Sequence, residues 1–507
     1  MTSQDPILMG ADIGSSSCKI VLITQGGEIL AYSSATYDTA HPHPGWAEQN
    51  PVDWYEAFCY STRQCLRDAN INAEQVSAVS ITGPAHNAVL LDSDDRVLRP
   101  TIHWSDRRCI EQAQWIEENH REIVFETTYQ PINPSWTLPQ LLWVRQQEPE
   151  VWGRLQRIMI QKDYISFRLT GSWMTDPYDA MGTQLMDGRS LTWSQGMGDL
   201  IELPISVLPP VHGANEVRGE VTPEAAAETG LGVGTPVAVG SGDSVVEALG
   251  MGVIHPGQGI IKLASSGAVN VATKEPKPHP NKMTYPHLMP GRWYSICATN
   301  SGAATALWFL EAFGISDDPN EGFSLMEQLV EGVTPGSEGL LFHPYLEGER
   351  APYWDPRLRG DFVGLTIRHR RAHAARAVYE GVAFSLRDVM DSFEKMALDV
   401  KDFRLLGGGS RSRVWSQIVA DVFNRSLPRF PENATAYGAA LLAGVAIGVY
   451  SDMENVCEYG IKPIDTIIPR QQAVDIYAEL FSKYQRITKV LTPFHHELTE
   501  AFGKDRE

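Results

Sequence analysis

Cysteine is scarce: Cys18, Cys59, Cys65, Cys109, Cys297 and Cys457 stand far apart in 507 residues, with no CxxC pair and no metal-finger spacing. That spacing excludes a disulfide scaffold and a zinc module, and it predicts a reducing, cytoplasmic compartment. Positive charge is also in deficit. Lys and Arg total 42 against 62 Asp and Glu, a net charge of −20. An acidic surface of that size repels phosphate backbones, so nucleic acid is not an expected partner. The opening residues Met1-Thr2-Ser3-Gln4-Asp5 carry no basic, apolar leader. The longest uncharged stretch, Asn433 to Ser451, is alanine-rich and broken by Gly438, Gly444 and Gly448. It reads as a core helix packed closely on a neighbour, with no membrane span. What remains is globular: 43% of residues are of the AVILMFWYC set and 21% are charged, far from the composition of disorder. At roughly 150 residues per domain the length predicts two large domains or three smaller ones.

A plan repeats along the chain. Ile7 to Ile13 reads as a strand, Gly14-Ser15-Ser16-Ser17 as a turn, Cys18 to Thr24 and Ile29 to Ser33 as further strands. A helix follows, with Asn50 placed to cap it, Pro51 at its first position and Asp53 in its first turn. Val76 to Ile81 is then a strand ending in Thr82-Gly83-Pro84. The second half gives strands at Gly259 to Leu263, Val269 to Thr273 and Trp293 to Ala298. A helix is marked there by Val378, Val382, Leu386, Val389 and Phe393, and a strand over 403–406 ends in Gly407-Gly408-Gly409, before a helix from about Ser412. Two similar α/β domains are predicted, joined near the breaker-rich segment 250–257.

Several segments carry chemistry. Asp12 ends a strand before a hydroxyl-rich turn, whose backbone N–H groups can face a phosphate if a divalent cation offsets the carboxylate; an ordinary hairpin turn is the alternative. The spacing is not that of a Walker loop. Ser265-Ser266-Gly267 is a second such turn in the corresponding place, and the pair together could grip a polyphosphate. Gly407-Gly408-Gly409-Ser410 either lets a flat base approach the backbone or simply makes a tight connection. Gly240-Ser241-Gly242-Asp243-Ser244 puts a carboxylate at a strand end among glycines that leave space for a substrate, which suits a general base; a helix cap is the alternative. Ala85-His86-Asn87 and His103-Trp104-Ser105-Asp106 bring polar groups and an indole face to strand ends. That combination suits a sugar, although lone His and Trp residues more often pack.

These residues resemble the FGGY carbohydrate kinases, the xylulokinases among them most closely. The likeness runs from Met9 to about Tyr450. It rests on the segments 12–16, 44–51 and 103–107, on Lys162-Asp163-Tyr164, on 179–183, and on Gly242-Asp243. It continues through 348–352, 360–365 and 380–384, and ends on Gly407-Gly408-Gly409-Ser410 before Trp415 and Gln417. The resemblance implies an α/β chain of two ribonuclease-H-like (actin-like ATPase) domains with a nucleotide/sugar cleft between them. It implies a sugar-binding domain over 1–250, a nucleotide-binding domain over 251–490 and a tail over 491–507. The implied activity transfers the γ-phosphate of MgATP to a hydroxyl of a ketopentose, D-xylulose first. The alternatives are another polyol or sugar acid (glycerol, gluconate, another pentulose), or a non-catalytic module responding to sugar and ATP on the same scaffold. By this likeness Asp243 is the base, and Asp12 and Asp243 attend Mg²⁺. Ala85, His86, Trp104, Asp106, Asp243 and Ser244 surround the sugar. ATP is met by Gly14, Ser15, Ser16, Lys19, Ser265, Ser266, Gly267, Gly302, Gly408, Gly409 and Arg413. The sequence departs from the family pattern at Ala85 (usually Met), Ser244 (usually Asn) and Gln140 (usually Lys), the first two beside the expected sugar. The expected partners are small molecules, no nucleic acid and no membrane, and a homodimer is left open.

Overall fold

Ile7–Ile13 is buried along its whole length and sits near the centre of a mixed sheet in the computed structural model. The structure describes residues 5–502 apart from 317, 397 and 399. The expected leaderless start at 1–4 and the end of the expected tail at 503–507 lie outside the described residues. Contacts divide the chain into two compact units.

In the first unit the strands lie in the order Val217–Glu220, Pro236–Ala238, Val76–Gly83, Ile7–Ile13, Ser17–Thr24, Ile29–Thr36. The last three form the expected antiparallel meander, and Val76–Gly83 joins Ile7–Ile13 in parallel. Helix Pro51–Ala69 crosses back to make that parallel partner. Its Asn50 cap accepts the Val52 N–H and Asn70 closes it in the left-handed conformation, satisfying end groups that would otherwise stay unpaired. Trp54, Phe58 and Cys65 on one face of this helix enter the core with Met9, Ala11, Ile20 and Val79.

The second unit repeats the plan. Its strands run Trp293–Thr299, Gly267–Thr273, Gln258–Leu263, Asp402–Leu406, Leu427–Arg429, Asp465–Ile467. Gln258–Leu263 is antiparallel to Gly267–Thr273 and parallel to Asp402–Leu406. Both sheets then add a parallel strand and an antiparallel edge strand. Helix Arg371–Glu394 occupies the place of Pro51–Ala69, and the stripe Val378, Val382, Leu386, Val389 and Phe393 is fully buried.

A single cut at residue 250 does not describe the contacts. The segments 274–294 and 433–461 belong with the first unit. The second of these is drawn there by helix Ala434–Ala446, whose backbone lies directly on two other elements. A Cβ on Gly10 would stand 1.9 Å from the Ala436 carbonyl oxygen, and one on Gly438 2.1 Å from that of Val246. This is the close-packed core helix read from the sequence, and no helix among the described residues is long and apolar enough to cross a membrane. Helix Gln471–Phe502 runs on through the described part of the expected tail.

Candidate functional site

The hydroxyl-rich turn of the first unit is tied down from behind. Gly14 N–H donates to the Ser17 carbonyl at 3.0 Å and the Ser16 carbonyl accepts from Tyr37 N–H at 3.1 Å. The Ser15 carbonyl accepts from Gln49 Nε2 at 2.7 Å. Because peptide units are trans, a carbonyl held on one side sends the following N–H to the other. The Ser16 N–H therefore points away from Gln49. Trp104 Nε1 donates to Ser15 Oγ at 3.0 Å, and Trp104 N–H to Asn87 Oδ1 at 2.8 Å. Asn87 Nδ2 donates in turn to Gln161 Oε1 at 2.6 Å. The structure thus joins Ser15 and Trp104, which sequence reasoning placed at different ends of the reaction.

Asp12 is buried at the end of its strand, with Lys19 Nζ 3.7 Å from Oδ2. A Cβ on Gly14 would come no nearer than 3.9 Å to either carboxylate oxygen. Among the described residues no three His, Cys, Asp or Glu side chains gather to hold a metal by themselves. One carboxylate completed by phosphate and water oxygens is the donor set Mg²⁺ prefers, so Asp12 fits a phosphate-borne Mg²⁺.

Asp243 is not a helix cap. Helix Asp243–Gly250 has Gly242 as its N-cap with no side-chain capping bond, and Asp243 is its first helical residue. Its Oδ1 accepts from Ser244 Oγ at 3.1 Å. The neighbouring glycines serve packing, where the sequence suggested room for a substrate. A Cβ on Gly242 would meet the Tyr178 ring at 2.2 Å, and one on Gly240, at φ +76°, the Ile81 carbonyl oxygen at 2.1 Å. Tyr178 stacks on Tyr285 with centroids 4.2 Å apart. Burial and then the nearby Asp243 charge hold the Tyr285 phenol well above its ordinary range; Tyr178 is raised by burial, with Tyr285 and Asp243 adding to it.

His86 belongs to the same group. Trp136 meets its ring edge-on at 4.2 Å. Its Nδ1 lies 2.9 Å from the Gly182 carbonyl and so donates, which leaves Nε2 as acceptor, 3.5 Å from the Tyr285 hydroxyl. Burial pushes the imidazole down to about 4, against the Gly182 bond, which favours protonation. Ala85 is buried on Gly182. The neutral ring contributes its full stability above the unfolded value of 6.5 and loses it as pH falls toward 4, since only the unfolded chain then takes up the proton. Imidazole nitrogen NMR is expected to find His86 neutral and Nδ1-protonated down to about pH 5; a charged ring at pH 6 would contradict this environment.

Asp106 is not available to a substrate. Its carboxylate accepts from Ala47 N–H at 2.6 Å, Arg108 N–H at 2.7 Å and the Arg108 guanidinium at 2.8–3.0 Å, and it is fully buried. These bonds saturate both oxygens and set the loop that carries Trp104.

Behind Asp243 lies a group whose role no local sequence signal announced. Lys162 Nζ reaches Asp163 at 2.7 Å, Asp179 at 3.1 Å and Asp176 at 3.2 Å, while Arg218 reaches Asp163 at 3.1 Å. All five side chains are buried. Asp176 also accepts from Ser241 Oγ at 2.6 Å and from Tyr178 N–H at 3.1 Å, which connects the charged group to the segment leading into Asp243. Burial raises the Asp176 and Asp179 carboxyls although Lys162 opposes it. Trp136, Tyr178 and Tyr285 were missed for a related reason. They come from three distant segments, and nothing in their neighbours' sequence distinguishes them from core aromatics.

In the second unit Ser265 is exposed, Ser266 half-buried and Gly267 buried. The carbonyls of Ala264 and Ser265 accept from Ala303 and Ala304 N–H at 2.7 and 3.1 Å, at the start of helix Ala303–Ala312, whose N-cap is Gly302. By the same trans-peptide argument the Ser265 and Ser266 N–H groups face away from that helix. A Cβ on Gly302 would stand 2.5 Å from the Ala264 carbonyl oxygen. Gly407 and Gly409 press on Leu263 at the root of this turn, and Gly408 is exposed. Arg413 is directed elsewhere. Its exposed guanidinium pairs with Asp465, which also holds Arg429.

Residues 7–250 match the N-terminal domain, and residues 260–447 the C-terminal domain, of the FGGY family of carbohydrate kinases. A xylulose kinase of Staphylococcus epidermidis is 32% identical over 486 residues, 95% of this chain and 96% of its own. Among solved structures, a xylulose kinase from Rhodospirillum rubrum is 28% identical with a TM-score of 0.89, covering 97% of this chain and 100% of that one. A gluconate kinase from Lactobacillus acidophilus reaches the same TM-score at 26% identity, covering 98% and 100%.

Proposed function

The chain belongs to the FGGY family of carbohydrate kinases, phosphotransferases with an alcohol group as acceptor, and from that premise we propose that it phosphorylates a neutral ketopentose, D-xylulose first, with MgATP as donor. The observation that carries this reading is the setting of Asp243. It starts a helix without capping it, accepts from Ser244, and stands against the Tyr178–Tyr285 pair. Together His86, Trp136, Tyr178, Tyr285 and Asp243 offer aromatic faces, hydroxyls, a neutral imidazole and one carboxylate. A sugar's C–H faces and hydroxyls match that mixture. None of these five side chains is a cation, and Asp243 repels the carboxylate of a sugar acid such as gluconate, which favours a neutral acceptor. The xylulose kinase names of relatives about as similar as 32% support the same choice.

In this reading Asp243 accepts the proton of the attacking hydroxyl, and the Ser244 hydroxyl bond keeps its carboxylate turned in place. His86 holds a substrate hydroxyl through Nε2, with its tautomer set by the Gly182 carbonyl, and Trp104 offers its ring face while its N–H is anchored on Ser15. The Ser16 amide and the Ser265 and Ser266 amides are each directed to bind phosphate oxygens. The exposed Gly408 and its neighbours admit the flat base. Phosphoryl transfer depends on positioning and charge neutralisation more than on covalent chemistry. Mg²⁺, attended by Asp12 and Asp243, supplies part of that neutralisation when bound. Six cysteines spread through the chain without a CxxC pair support a reducing, cytoplasmic setting.

The test is ADP release with D-xylulose, other ketopentoses, glycerol and gluconate. A ketopentose is expected to give the highest kcat/KM; a preference for gluconate would overturn the neutral-acceptor reading and leave the kinase activity standing. Asp12→Ala is expected to raise the Mg²⁺ concentration that half-saturates activity, because the phosphates lose their bridged carboxylate. An unchanged Mg²⁺ titration would remove Asp12 from the metal site.

A further inference from the structure

One buried carboxylate in the second unit is held by two backbone N–H groups and three hydroxyls. Glu349 is 2% exposed. Its Oε1 accepts from the backbone N–H groups of Asn300 at 2.6 Å and Arg350 at 2.7 Å. Its Oε2 accepts from the hydroxyls of Thr299 at 2.5 Å and Ser301 at 2.8 Å, with Ser385 Oγ at 3.4 Å. Burial raises its pKa and these donors pull it back. Every close neighbour is a donor, which is the environment of an ionised carboxylate.

Three of those donors belong to the consecutive residues Thr299, Asn300 and Ser301, immediately before Gly302. The Thr299 hydroxyl accepts from Ser301 N–H at 2.9 Å, which closes the turn on itself. Gly302 then caps helix Ala303–Ala312, and the first two N–H groups of that helix hold the Ala264 and Ser265 carbonyls. Those two bonds are what send the Ser265 and Ser266 N–H groups the other way. The chain of contacts is continuous: carboxylate, three-residue turn, helix start, carbonyls, outward amides. Three of the five donors to Glu349 belong to that turn and one, Ser385 Oγ at 3.4 Å, to the core helix Arg371–Glu394, so a change at Glu349 acts first on the turn.

We propose that Glu349 is a positioning residue for polyphosphate binding, which sets the direction of the Ser265 and Ser266 amides through the Thr299–Gly302 turn. This rests on the reading that the 264–267 turn meets the phosphates of the nucleotide. It adds a specific consequence. Adenosine has no phosphate and is assigned to the glycine run at 407–409, so its binding is independent of Glu349, whereas ADP and ATP binding is not.

The experiment is calorimetric titration of the whole protein with adenosine, ADP and ATP, without sugar, for wild type, Glu349→Gln and Ser301→Ala, with melting temperatures beside them. Glu349→Gln keeps the shape and places an NH₂ where only acceptors now stand; Ser301→Ala removes one hydroxyl and is the milder change. Glu349→Gln is expected to weaken ADP and ATP by about tenfold or more, Ser301→Ala less, and both to leave adenosine unchanged. Equal weakening of adenosine and ATP, or a melting loss with unchanged nucleotide affinities, would reduce Glu349 to a structural role and overturn the proposal. The reading beneath it fails separately: wild-type protein that binds ATP no more tightly than adenosine has no phosphate site at this turn.

Discussion

Asp243→Asn is expected to lower kcat by about 10²–10⁴-fold, the range a general base contributes, with folding and nucleotide affinity retained. In the fold the substitution has little to disturb, so a fall in kcat reports on what Asp243 does for the chemistry, proton transfer together with its share of the Mg²⁺ site. Gly242 caps the helix and Asp243 makes no capping bond, so the helix loses only a favourable charge near its N-terminus, about 0.3–1 kcal/mol. Asn keeps the side-chain shape and an oxygen for the Ser244 hydroxyl. What it lacks is a basic lone pair on a charged group. Steady-state kinetics with the best acceptor, run beside a melting curve and an ATP titration, checks all three statements. Turnover within about a factor of three of the parent would mean that Asp243 is not the base.

The second large effect lies in the interior. Lys162→Met is expected to destabilise the protein by about 3–5 kcal/mol near neutral pH, the usual consequence of removing one partner from a buried ionic group. Asp163, Asp176 and Asp179 converge on the Lys162 ammonium. With that ammonium gone, Arg218 alone would face them, and it reaches only Asp163. The pH dependence has a definite sign. Asp176 and Asp179 already sit above their ordinary values because of burial, with Lys162 holding them down; without Lys162 they rise further. Raised carboxyls bind protons in the folded state that the unfolded chain releases, so stability falls as pH rises through that window and recovers on acidification. Urea unfolding of wild type and Lys162→Met is therefore expected to show a gap that narrows from about pH 7.5 to about pH 5.5. A gap independent of pH would mean that the loss is one of packing. Because Asp176 also holds Ser241 and Tyr178, any Lys162→Met protein that folds is expected to lose turnover as well.

How far the sequence could be read follows from the range over which each signal acts. The strand–turn–strand openings at 7–24 and 258–273, the capped helix at Pro51 and the stripe at Val378 to Phe393 are written in neighbouring residues, since turn chemistry, capping and periodicity act over a few positions. The repeated plan was legible for the same reason, and it reappears as two sheets of matching strand order. The segment around Gly438 also declared itself, because a run of small residues has no use but close packing.

Other features were decided only when distant segments met. Asp243 read equally as cap or base until Gly242 proved to be the cap. Its glycines looked like space and turned out to be filled by Tyr178 and Ile81. Asp106 looked like a ligand and is consumed by Ala47 and Arg108, while Arg413 is drawn to Asp465 across 52 positions of sequence. The pairing of Tyr178 with Tyr285, the convergence of Asp176 and Asp179 on Lys162 and the Thr299 and Ser301 donors around Glu349 have no local trace. By itself the amino-acid order determined the elements, the repeated plan and the family, because each rests on short-range patterns. Which side chains stay open to a substrate was decided by tertiary structure, because a carboxylate or an aromatic ring is spent or spared according to partners from other segments, Ala47 for Asp106 and Tyr285 for Tyr178, and those partners compete on geometry that no neighbouring residue encodes.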